Sequence, residues 1–407
     1  MFENALQNTI QFLNPYLILS IALCFFIYFL SLKFKFPYAI ILIFLGVLIK
    51  NYSINNYSIT SIINYVDISF FLFYFALLII LILFFVMINE FSFHEMDLYS
   101  IKGMKISLIS LSFNVLFLSF ALNFLFKLNF YFSLLLAIIL TTTDFNIYNH
   151  LIKKNRVFEF LKYESIFGTL LSLLLVFFIL SFFRENLNFF QLKDIAFNNT
   201  IIATLLNNLL GFSIGLIIAI IFFDVFKKLN HWLLEIFVFV FVILSYVIAE
   251  LLNTNGLFSV LAFSLFFERL LLNRKEKIKQ FFKKISLLAS SFVFLLLGLL
   301  LPKIDFSFLT NIFVLFLLYL LLRFLSLIIA FHSFHESIKD IIFMALNCAK
   351  GVDVISISII LNYLFKNNIS LNIISNIFIY FVFFSIITSF FAIYFLNTKD
   401  RTKKSID

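Results

Sequence analysis

The segment FYFSLLLAIILTTTDFN, residues 130–146, is an apolar run that closes on Thr141-Thr142-Thr143-Asp144, four polar residues in succession. A polar stretch ending an apolar span suits backbone that unwinds to line a polar cavity inside a membrane. A carboxylate at that depth costs about 2.5–3.5 kcal/mol on insertion scales, so Asp144 is a functional candidate by default. A second apolar run, residues 341–363, is interrupted in the same way by Lys350 and Asp353. The reading of the remaining chain depends on this pair of interruptions.

Composition makes the two runs spans of a membrane. Of 407 residues, 63% are hydrophobic and 13% charged, against about 45–50% and about 25% in a soluble protein. That contrast excludes a soluble enzyme, a disordered chain and a DNA-binding domain. Apolar runs between charged or Asn-rich breaks number thirteen, near residues 15–32, 37–49, 68–89, 105–126, 130–148, 163–183, 200–223, 232–250, 255–267, 285–301, 308–331, 341–363 and 369–396. The second and ninth are short beside the roughly 20 residues of an ordinary span. The first fourteen residues carry Glu3 and no basic residue, so the first run is expected to stay as a helix rather than act as a signal peptide. Cys24 and Cys348 lie far apart in apolar stretches, which indicates neither a disulfide framework nor a metal site.

The formal charge of +9 is explained by membrane orientation rather than by nucleic acid. With the N-terminus outside, the inside loops and the tail hold 22 of the thirty Lys and Arg residues and the outside loops hold 6. Arg323 and Lys350 remain within spans. A different span count would scramble this asymmetry, so thirteen spans with the N-terminus outside and the C-terminus inside is the expected topology. Residues 1–400 form one integral membrane domain and residues 401–407 a short cytoplasmic tail.

An odd count allows spans 1–6 and 8–13 to be repeats of opposite topology, seven spans apart. That offset pairs span 5 with span 12, the two with interruptions. Inverted repeats with broken helices at matching positions are the architecture of many secondary transporters. The expected fold is therefore an all-α polytopic membrane protein of two inverted-topology repeats, with unwound helices crossing at spans 5 and 12.

Five ionisable residues stand inside spans: Asp144, Glu164, Arg323, Lys350 and Asp353. Arg323 lies in an otherwise apolar run that only a buried carboxylate can hold, and Glu164 is the expected partner. Ser165 and Thr169, four residues apart, share one helix face, and Gly168 allows close approach of a neighbouring helix.

The same residues carry a family resemblance. Thr143-Asp144-Phe145 followed by Tyr163-Glu164-Ser165-Ile166-Phe167-Gly168-Thr169 resembles the TDP…GESLLND signature of the NhaP-like bacterial cation:proton antiporters. Leu322-Arg323-Phe324-Leu325-Ser326 resembles their RPLSV segment, and Leu346-Asn347-Cys348-Ala349-Lys350-Gly351-Val352 resembles WGGLRGAV. Residues 255–262 are similar to SGVLAV, and Phe36-Pro37-Tyr38 with Gly46 to LPYAVLLLLLG. Five segments in order, from residue 36 to about 360, make the resemblance specific. It implies a dimerisation half beside a six-helix transport core, and hence a homodimer. It also implies that Asp144 binds cation and proton with Thr143 and Ser165 beside it, that Glu164 pairs with Arg323, and that Lys350 takes the place of an arginine. The chain departs from the pattern at several points. Gly168-Thr169 replaces an Asn-Asp pair, Phe145 a proline, and Val86 the acid of a Phe-Glu pair, while Asp353 is an extra acid.

The expected function is antiport of a monovalent alkali cation, Na⁺ or else K⁺ or Li⁺, against protons, as part of pH homeostasis in a bacterial inner membrane. Asp144 is the shared site, and hydroxyls of Thr143, Ser165 and Thr169 with unwound carbonyls complete a hard-cation shell. No enzyme activity, cofactor or nucleic-acid partner is expected; the partners are the cation, the proton, lipid and a second copy of the chain. Lys350 is read in two ways, as a switch that pairs with Asp144 until the cation arrives, or as the structural partner of Asp353. A different reading keeps the fold but has transport lost or repurposed, channel-like or sensory, because Thr169 cannot titrate.

Overall fold

The long described helices are built mostly of apolar residues, and in a lipid environment their backbone can satisfy its hydrogen bonds only within the helix itself. The computed structural model describes residues 38–51, 66–90, 98–147, 156–185, 197–228, 231–270, 275–300, 306–331, 337–364 and 370–403. The first expected span, residues 15–32, lies outside them, as do Cys24, Phe36 and Pro37. The helices are α1 (Tyr38–Asn51), α2 (Val66–Glu90), α3 (Leu98–Phe113), α4 (Ser119–Phe126), α5 (Phe130–Ile139), α6 (Arg156–Glu185) and α7 (Phe197–Lys228). They continue with α8 (His231–Leu251), α9 (Gly256–Leu270), α10 (Lys275–Leu300), α11 (Phe306–Phe331), α12 (Ile338–Leu346), α13 (Val352–Leu364) and α14 (Ser370–Lys403). A π-helical turn, Asn114–Leu118, joins α3 to α4 as one span.

This is an all-helical polytopic membrane fold. Eight of the described spans are long and apolar enough to cross a membrane. The two interrupted spans of the sequence are the broken ones in space. At 10 residues, α5 is about 15 Å long at 1.5 Å per residue, half of a hydrocarbon core of about 30 Å. Its continuation is a turn, non-helical chain and a short 3₁₀ turn, Phe145–Ile147. The twelfth span is split into α12 and α13 by residues 347–351, which are not helical.

Several boundaries run further than hydropathy indicates. α6 starts at Arg156, α10 at Lys275, and α14 continues to Lys403, into the expected tail. Charged turns at these ends keep good helix propensity while leaving the hydrocarbon. The apolar pattern marks the membrane, not the helix.

The core is centred on α2, whose residues 79–89 are all buried, and on α13, buried from Val352 to Leu361. α13 packs against α2 and α14, and α2 also against α9 and α10. In contrast, α7 turns Ile202, Leu205, Leu206, Leu209 and Leu210 outward, as an apolar outer face does in lipid. Small residues set the closest crossings. A Cβ on Gly46 of α1 would lie 2.8 Å from Gly298 Cα of α10, so these backbones touch directly. Gly211 and Gly215, spaced as G-x-x-x-G on α7, meet the backbone of Asn255 and Ser259 at the start of α9.

Candidate functional site

The two unwound segments cross and bond to each other. Once α5 ends, Thr141, Thr142, Thr143 and Asp144 run on as non-helical chain, and the Asp144 N–H donates to Ala349 O at 2.8 Å. Ser165 of α6 supports this stretch on both sides. Its hydroxyl donates to Thr143 O at 2.7 Å and accepts the Phe145 N–H at 3.1 Å. Asp144 is thereby held between Thr143 and Phe145 with its carboxylate only partly exposed. On the other segment, the Lys350 N–H donates to Ser385 Oγ of α14 at 2.9 Å.

A broken helix leaves carbonyls without partners at its C-terminal end, where the helix dipole is negative. The Lys350 ammonium fills that place. It is fully buried and donates to Leu140 O, to Thr142 O at 2.6 Å and to the Tyr319 hydroxyl at 2.6 Å. These three bonds use all three of its protons. The lysine is tied to the crossing by neutral oxygens rather than by either aspartate.

Tyr319 links this lysine to a second buried cation. One turn along α11, Arg323 places Nη2 3.0 Å from each Glu164 oxygen, and Nη1 donates to the Tyr319 hydroxyl at 3.4 Å. Arg323 Nε reaches Met344 O at 3.4 Å, which fastens α11 to α12. Both residues of the ion pair are buried. The expected partners Glu164 and Arg323 are thus together, and the pair stands beside the crossing without entering it.

The other expected residues divide. Ser165 is at the unwound segment, whereas the Thr169 hydroxyl is turned back to Ser165 O at 2.7 Å and lies against Met87 Sδ of α2. Asp353 sits in the first turn of α13, buried, and is not one of the acceptors of the Lys350 ammonium. Tyr319 and Ser385 belong to the site although the sequence does not single them out. Tyr319 carried one usable signal, its i,i+4 spacing to a charge inside an apolar span; Ser385 carried none. Glu250 accepts the Gly256 N–H at 3.1 Å and so caps the start of α9.

Two comparisons bear on this arrangement. The family model described as "Sodium/hydrogen exchanger, transmembrane" matches residues 18–396, which includes both unwound segments and the ion pair. The chain belongs to the sodium/hydrogen exchanger family. Its fold is similar to that of the sodium proton antiporter MjNhaP1 from Methanocaldococcus jannaschii in a structure at pH 8, with a TM-score of 0.70, 18% identity and 94% of this chain aligned to 95% of that one. A second structure of the same antiporter, from electron microscopy, has a TM-score of 0.68 at 20% identity, covering 94% of each chain. No curated protein sequence matches. Family membership makes this exchanger a transporter rather than an enzyme and gives the class of its activity, cation–proton antiport across a membrane. The fold likeness places its broken helices within the NhaP architecture.

Proposed function

We propose that the protein exchanges a monovalent alkali cation, Na⁺ or else K⁺ or Li⁺, for protons at Asp144. The observation that carries this reading is the position of that carboxylate. It is the partly exposed acid at the crossing of two unwound segments, where backbone no longer in helix lies beside it. A carboxylate so placed takes either a proton or a hard cation, and not both. Competition for one site then couples two fluxes without any direct contact between the ions. Thr143 and Ser165 contribute oxygens next to it. Thr169 contributes one turn further on, where its hydroxyl steadies the Ser165 carbonyl. Lys350 holds the end of α5 in place and supplies a fixed positive charge that lowers the affinity of the site for a second cation. The proposal extends to a homodimer in a bacterial inner membrane, with the N-terminus outside, the C-terminus in the cytoplasm, and residues 1–400 as one transport domain.

Proton flux in proteoliposomes under imposed gradients of Na⁺, Li⁺ and K⁺ tests the reading. Wild type is expected to move protons in response to at least one of them, and Asp144→Asn to none. If Asp144→Asn exchanges as well as wild type, the carrier carboxylate is elsewhere. One observation favours a second reading of the same fold. Thr169 stands where the resemblance has a second acid, and its hydroxyl proton is already engaged by its own helix. Flat proton flux with every alkali cation, from correctly folded wild type, would favour that loss or repurposing of transport.

A further inference from the structure

Asp353 is an acid that the family pattern does not contain, and the fold brings it to the carrier carboxylate. Gly351 stands between them. A Cβ built on it would lie 2.5 Å from Asp144 Oδ2 and 2.7 Å from Asp353 Oδ1. The two carboxylate oxygens are therefore no farther apart than those distances taken together, and the missing side chain at 351 keeps the gap open. Oxygens bind a hard cation such as Ca²⁺ at about 2.3–2.6 Å, so one ion can touch both.

The ordinary role of an acid in a first helical turn is to complement the helix dipole. Asp353 occupies that position on α13, but its Oδ2 is left without a hydrogen-bond partner among the described residues although the side chain is only 2% exposed. An unpartnered carboxylate oxygen at that depth is costly. Ser356, one turn further on the same face, is fully buried and its hydroxyl is likewise unpartnered. The Lys350 protons are committed to two carbonyls and a phenol, and Glu164 and Arg323 neutralise each other. Neither of these cations donates to Asp353.

We propose that Asp353, facing Asp144 across Gly351, is a second cation-binding carboxylate of this exchanger, standing in for the acid that Thr169 does not provide. The assignment rests on Asp144 being the carrier site. The bound alkali cation bridges Asp144 Oδ2 and Asp353 Oδ1 across Gly351, and a proton on either carboxylate replaces it.

The test is thermal unfolding of the purified full-length protein in detergent, titrated with NaCl, LiCl or KCl in place of choline chloride at constant ionic strength, for wild type, Asp144→Asn and Asp353→Asn. Asparagine keeps the shape and the helix-start contact of Asp353 and removes only its charge. Wild type is expected to be stabilised by at least one alkali cation, and Asp353→Asn to need about tenfold or more of that cation, the scale on which loss of a metal-supporting group acts. Asp353→Ser, also compatible with a helix start, is the second variant and is expected to shift the same way. If both Asp353 variants titrate like wild type while Asp144→Asn has lost its response, Asp353 is only a helix-start acid and the carrier reading stands. If Asp144→Asn titrates like wild type and the Asp353 variants do not, the carrier reading fails and Asp353 holds the ion. A wild-type protein indifferent to all three cations overturns the inference outright.

Discussion

Arg323 shows why an isolated charge in an apolar helix is informative. Moving it into the interior is unfavourable unless a carboxylate and further acceptors surround it, so the run Leu320-Leu321-Leu322-Arg323-Phe324 already required a partner. The fold supplies Glu164, Tyr319 and the Met344 carbonyl. Breaking such a pair leaves the other charge buried alone, at a cost of about 3–5 kcal/mol. Glu164→Gln or Arg323→Ala alone is therefore expected to lower the unfolding temperature in detergent sharply, whereas Glu164→Gln combined with Arg323→Met recovers most of the loss. Equal losses in the single and double variants would show that the pair is not the stabilising contact. Tyr319 was harder to foresee, because a phenol on an apolar helix reads as core aromatic. Only the arrival of two cations at its hydroxyl gives it a role.

At the scale of elements, broken helices were visible because polarity interrupts an apolar run at one place in each half of the chain. Close helix crossings were visible only in part. The G-x-x-x-G spacing at Gly211 and Gly215 is a local pattern, but Gly46 and Gly298 are single glycines on helices far apart in sequence. Their backbones meet because neither carries a side chain. Gly46→Leu is expected to push α1 from α10 and to reduce folded yield on size-exclusion chromatography, with exchange reduced in proportion. Overpacking of this kind typically costs about 1–3 kcal/mol. A normal elution profile with wild-type exchange would mean that α1 shifts without consequence. Helix ends were the least legible feature, since Lys-rich turns such as the start of α10 continue a helix past the point where hydropathy falls.

For the molecule as a whole, the asymmetry of Lys and Arg predicts which side each loop faces. Lys127 and Lys339 test it, since both are exposed in the structure and they are assigned to opposite sides. With Cys24 and Cys348 replaced by Ser, Lys127→Cys is expected to react with an impermeant maleimide added to intact cells. Lys339→Cys should react only after the membrane is opened. The reverse pattern would invert the topology and with it the direction from which each ion enters.

The all-helical membrane fold, the two interrupted spans, the buried charges and the family resemblance were all legible in the linear chain. They depend on local composition, and the energy of placing each residue in hydrocarbon or water is nearly independent of what lies across the fold. The partners of those charges were not legible. The sequence offers Asp144 or Asp353 as partner for Lys350, and the packed molecule gives its protons to the open end of α5 and to Tyr319 instead. The sequence offers Asp353 only as a partner for Lys350, and the crossing sets it across Gly351 from Asp144. Both outcomes follow from one close approach, the bare backbone of Gly351 against Asp144, and contact between segments so distant along the chain exists only once the helices around them have packed.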